Sequence, residues 1–99
     1  MSSHEPAIAV PLVAGATQVL QSAGRGRYRG ITVRETAGGA LTLQLFDNAA
    51  AASGTIIDTI VVPANGVVSY FFESGVFLAN GLFLNRVAGG AFEGSVRLG

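Results

Sequence analysis

The sequence predicts an all-β domain: a single antiparallel β-sandwich, jelly-roll-like, of about eight short strands. Three observations carry this. Apolar and polar residues alternate at a period of two, most strictly along Leu41-Thr-Leu-Gln-Leu-Phe-Asp47. Turn residues punctuate the chain at intervals of about ten. The apolar stretches between them are β-branched or aromatic and too short for ordinary helices.

In chain order, residues 1–10 form an N-terminal arm and residues 11–99 the β-sandwich domain. The arm is polar, then apolar, and Pro6 and Pro11 favour an extended path. An unpaired extended segment can add to a neighbour's sheet edge, so the arm is expected to order on a partner. Gly24-Arg-Gly-Arg-Tyr-Arg-Gly30 is a loop that runs into a strand, where Ile31 and Val33 share one face and Thr32 and Arg34 the other. Gly38-Gly39 precedes the next strand, which puts Leu41, Leu43 and Leu45 toward the core and Thr42, Gln44 and Phe46 away from it.

Asp47–Gly54 reads as a long hairpin loop, since its helix-prone core, Asn48–Ala52, spans little more than one turn. Thr55–Val62 and Val67–Phe72 are strands separated by Pro63-Ala-Asn-Gly66, a fixed proline dihedral followed by residues that tolerate positive φ. Asn80-Gly81, between Phe77-Leu-Ala79 and Leu82-Phe-Leu84, is a hairpin signal. After Gly89-Gly90 the last strand places Phe92, Val96 and Leu98 on one face.

Composition excludes more chemistry than it suggests. The 99 residues are 49% apolar and only 12% charged, against about 25% in an average domain. Six arginines balance six acids, which argues against a free-standing nucleic-acid binder. Without cysteine there is no disulfide framework and no thiolate ligand or nucleophile. No basic region precedes the first apolar run, and Asp58, Pro63, Asn65 and Gly66 interrupt the longest one, so neither a secretory signal nor a spanning helix is expected. The expectation is a soluble protein made in a cytoplasm, with no membrane partner.

Candidate catalytic groups are few. His4 is the single histidine and lies in the arm, without the partners a triad or zinc site needs. Glu5, Glu35, Asp47, Asp58, Glu73 and Glu93 form no paired motif, and most sit beside turns or strand ends, where a solvated carboxylate is unremarkable. Asp58 differs. In Ile56-Ile-Asp-Thr-Ile60 it shares parity with two isoleucines, which requires an arginine partner, a bulge or an edge. The alternating oxygen ligands of a calcium loop are absent. No catalytic, cofactor-binding or metal-binding residues are expected, and no enzyme.

Two features point to binding instead. Arg25, Arg27 and Arg29 cluster in the glycine-rich loop; they suit an acidic surface on a protein partner, or Glu35 or Glu73 stands to answer one of them. Tyr70-Phe71-Phe72 puts aromatics on both faces of one strand, and Ile56-Ile57 and Val61-Val62 repeat the arrangement on another. A sandwich strand has one face in the core and one in water, so surplus apolar surface marks an interface or a bulge. Phe71 and Phe72, with the three arginines, are therefore the candidate partner-binding residues.

The runs Tyr28-Arg-Gly-Ile-Thr-Val33, Leu41-Thr-Leu-Gln-Leu-Phe-Asp-Asn48, Val61-Val-Pro-Ala-Asn-Gly66 and Gly75-Val-Phe-Leu-Ala-Asn-Gly-Leu82 resemble small all-β structural proteins of tailed bacteriophages, of the capsid decoration (cement) type. The resemblance spans about residues 27–87 and rests on strand and turn patterns. It implies a non-enzymatic virion protein, commonly a homotrimer, bound to the outside of the head lattice through the major capsid protein or another virion protein. Similar sandwiches serve as glycan- or receptor-binding modules of tails and baseplates. That is the alternative reading, though this chain lacks the tryptophan common in glycan sites.

Overall fold

The computed structural model describes residues 8–22 and 26–99. Eight strands follow one another: β1 (Ile8–Pro11), β2 (Gln18–Gln21), β3 (Arg27–Glu35), β4 (Leu41–Phe46), β5 (Ile56–Val62), β6 (Val67–Phe77), β7 (Leu82–Ala88) and β8 (Phe92–Leu98). They form two four-stranded sheets, β1-β8-β3-β6 and β2-β7-β4-β5, with every neighbour antiparallel. The pairing is nested: β4 with β5, β3 with β6, β2 with β7 and β1 with β8. Among the described elements only β4 and β5 are consecutive and hydrogen-bonded; every other connection carries the chain from one sheet to the other.

The inner faces of the two sheets make the core. Leu41, Leu43 and Leu45 are fully buried, as their alternation predicts, and meet Ile31, Val33, Ile60, Val62, Leu82, Leu84, Phe92 and Val96. Burial of this set supplies the main driving force for folding. Phe46 departs from the expectation of a solvent-facing residue. It is 7% exposed, outside the core cluster, and lies opposite Phe83 and Ile56 on its neighbouring strands, which cover it laterally.

Two sequence expectations are corrected here. Residues 8–10 of the expected arm belong to the sandwich itself: they are part of β1, with Ile8 opposite Leu98 and Pro11 opposite Ser95, and Val10 packs on the core. Pro11, which lacks an N–H, is accommodated because β1 is an edge strand. Residues 1–7, His4 and Glu5 among them, lie outside the described residues. The Asn80-Gly81 signal is not a hairpin, because β6 and β7 belong to different sheets.

Two of the acids at strand ends, Glu35 and Asp47, are turn clamps rather than solvated carboxylates. Glu35 is 2% exposed and accepts the amides of Ala37 at 2.6 Å, Gly38 at 2.9 Å and Asn65 at 2.7 Å. It thereby ties the β3–β4 turn to the β5–β6 turn. The Asn65 amide, with those of residues 37–39, outweighs desolvation and holds the carboxyl below its usual range. Asp47 does the same after β4, accepting the amides of Ala79, Asn80 and Gly81 at 2.8–3.2 Å. Partial burial raises its pKa, but the three amides lower it further, so the net shift is downward.

Candidate interaction surface

β6 is the outer strand of its sheet and β5 the outer strand of the other; the Pro63–Gly66 turn joins them, so both open edges lie on one side of the sandwich. Residues directly opposite on paired strands share a face. Val68 and Tyr70, opposite Val33 and Ile31, therefore face inward, while Val67, Ser69 and Phe71, opposite Arg34, Thr32 and Gly30, face outward. Inward-facing Tyr70 is nonetheless substantially exposed, because no further strand covers this edge.

The strand is interrupted at a defined place. Tyr28 pairs with Val76 and Gly30 with Phe71, so residues 72–75 of β6 have only Arg29 opposite them. This excursion is pinned from β3. Arg27 Nη1 donates to the Ser74 carbonyl at 2.9 Å, and Arg29 Nη2 donates to the Glu73 carbonyl. The Arg29 guanidinium also lies 5.9 Å from the centre of the Phe71 ring. Arg29 is the extra residue of a bulge against β8 as well, where Tyr28 opposes Leu98 and Gly30 opposes Arg97. Gly30 is required here. Its φ is +143°, and a Cβ would stand 2.0 Å from the Tyr70 carbonyl oxygen.

Behind the excursion lies a small polar and aromatic cluster. Tyr28, fully buried, donates its phenol to Asp58 Oδ2 at 3.0 Å across the two sheets. Burial above all, then the neighbouring Asp58 charge and hydrogen bond, drives the Tyr28 pKa far above that of a free phenol. The Phe72 ring meets Tyr28 edge-on at 5.7 Å and lies nearly parallel to Tyr70 at 6.3 Å.

The sequence-predicted residues are thus only partly united. Phe71 and Phe72 sit at the open β6 edge, with Arg27 and Arg29 beside them on β3; Arg25 lies outside the described residues. The two described arginines donate to backbone carbonyls of this chain, Arg27 to that of Ser74 and Arg29 to that of Glu73, because the excursion brings those carbonyls within reach. Asp58 is on an edge and at a bulge, as its parity required: Leu45 opposes Asp58 and Phe46 opposes Ile56, which leaves Ile57 over. Its partner is a tyrosine, not an arginine. Tyr28 is the member that the sequence pattern did not single out; Tyr70 was marked only as one of the aromatics of its strand. Tyr28 was hidden inside an arginine-rich loop pattern that the strand extends into by four residues.

Elsewhere a hollow of about 270 Å³ is lined by Ile8, Val10, Gln21, Gly26, Leu98 and Gly99. Another, of about 220 Å³, is lined by Arg34, Glu35, Thr36 and Asn65. Among the described residues no three His, Cys, Asp or Glu side chains are grouped to hold a metal. Comparison with family models, with curated proteins and with solved structures finds no match to this chain.

Proposed function

We propose that the chain is a non-enzymatic structural protein of a tailed-phage virion, which binds the outside of the head lattice as an oligomer, with the major capsid protein or another virion protein as its partner. The observation that carries the reading is the open β5–β6 side, where Val67, Tyr70, Phe71 and Phe72 stand exposed on one edge and Ile56 and Val61 on the other. Apolar surface grouped in this way on a small domain is surface that another chain covers. The strand and turn resemblance supplies the kind of assembly. The nested strand order supports a jelly-roll winding, in which a hairpin of paired strands is rolled into two sheets.

Immunogold labelling of virions from the host that carries the gene, with antibody to the purified chain, tests the reading. Gold over heads is expected. Labelling confined to tail tips would favour a receptor- or glycan-binding module, and unlabelled particles would remove the virion role.

A further inference from the structure

We infer that the first half of β6, Val67–Phe71, pairs antiparallel with the same segment of a second copy, about a two-fold axis at Ser69. The inference rests on the reading that this side of the sandwich is covered by protein, and not on the virion.

Three observations select a second copy as the occupant. The segment is its own complement. With the axis at Ser69, Val67 lies opposite Phe71 of the other copy, Val68 opposite Tyr70, and Ser69 opposite Ser69. Val67, Ser69 and Phe71 face outward and Val68 and Tyr70 inward, so every pair joins residues of one face and apolar meets apolar on both.

The edge is also unblocked. Natural edge strands are protected by lysine, proline, inward-pointing charge or bulges. Val67-Val-Ser-Tyr-Phe71 has none of these, and the irregularity of β6 begins only at residue 72. The Tyr70 carbonyl is turned toward β3, where Arg97 Nη1 reaches it at 3.3 Å. By the alternation of an antiparallel strand, the amide and carbonyl of Ser69 point the other way, to the open edge. Two such edges satisfy each other.

The area suffices for a modest dimer. At roughly 200 Å² per aromatic side chain, exposures of 43%, 60% and 38% for Tyr70, Phe71 and Phe72 leave about 300 Å² open on each copy. Two copies contribute about 600 Å² before Val67, the backbone edge and adjoining β5 are added, which brings the total near the ~1,000 Å² of a specific interface. The pairing would continue one sheet through both molecules, β1-β8-β3-β6 meeting its copy at β6. It gives two copies, in place of the three that the phage resemblance implies.

The test uses the intact protein and a single cysteine in a chain that has none. At high micromolar concentration, light scattering should give twice the 10.1 kDa chain mass. Under mild oxidation Ser69→Cys should form a disulfide-linked dimer in high yield, since directly opposite strand residues lie about 5.5 Å apart at Cα, within disulfide reach. Val13→Cys, exposed away from this edge, should cross-link only at the collisional rate. Ser69→Lys should give a monomer with an unchanged circular dichroism spectrum. A monomeric or trimeric wild-type mass, or Ser69→Cys cross-linking no faster than Val13→Cys, would overturn the two-fold. Unlabelled virions would overturn the virion reading and leave the dimer standing.

Discussion

The Tyr28 phenol on β3 donates to the Asp58 carboxylate on β5 at 3.0 Å, a side-chain hydrogen bond that joins the two sheets behind their open edges. It places the polar ends of two otherwise awkward residues against each other: a fully buried phenol and a carboxylate in line with Ile60 of the core. Phe72 then closes over the tyrosine ring edge-on.

Tyr28→Phe should cost about 1–3 kcal/mol, because it leaves a half-buried carboxylate without its donor. Asp58→Asn should cost less than Tyr28→Phe, since an amide oxygen still accepts. Chemical denaturation of both single variants and the double variant measures the coupling. A coupling below about 0.5 kcal/mol would mean that solvent replaces the bond at no loss.

Stability should fall on both sides of neutrality. Glu35 and Asp47 are held below their ordinary pKa in the folded chain, so their contribution is complete above the unfolded value of about 4 and is lost as pH falls through the folded values. Tyr28 is held above its ordinary value, so its contribution is complete below about pH 10 and declines as pH rises beyond it. Melting temperatures from pH 2 to 11 check both limbs. Glu35→Gln should flatten the acid limb, and an unchanged slope would remove Glu35 from it.

Gly30→Ala should be among the most damaging single substitutions, costing upward of about 3 kcal/mol. The added Cβ would stand 2.0 Å from the Tyr70 carbonyl oxygen at a φ of +143°. Gly94→Ala should behave alike, with Thr32 O at 1.9 Å. Gly39→Ala, with nothing within 4 Å, should be neutral or stabilising by up to about 1 kcal/mol. Thermal melts of the three variants give the ranking.

Leu43→Ala should cost about 2–5 kcal/mol, the range for a fully buried leucine whose cavity cannot collapse. A loss under about 0.5 kcal/mol in a urea titration would contradict the packing described.

Replacing Arg27 and Arg29 together by serine should free residues 72–75 while leaving the core intact. Limited proteolysis with chymotrypsin should then cut at Phe72 faster than in the wild type. Equal cleavage rates would show that the two carbonyl contacts do not hold the excursion.

By itself the sequence determined the inner faces of the strands that alternate most strictly. Leu41, Leu43 and Leu45, and Phe92, Val96 and Leu98, are buried as alternation requires, because a period of two is a property of neighbouring residues. It also marked Asp58 as a residue in need of an explanation. Only the tertiary structure decided the partners. Gly38-Gly39 and Asn80-Gly81 look like hairpin turns, yet each carries the chain between sheets. Glu35 finds Asn65, Asp47 finds Asn80, and Arg27 finds Ser74, all at least 30 residues away in the chain. A turn residue fixes a backbone dihedral, and a charged side chain demands a partner, but neither specifies which one. That choice follows from burying the inner faces of both sheets at once, a condition the whole chain satisfies together and no local stretch records.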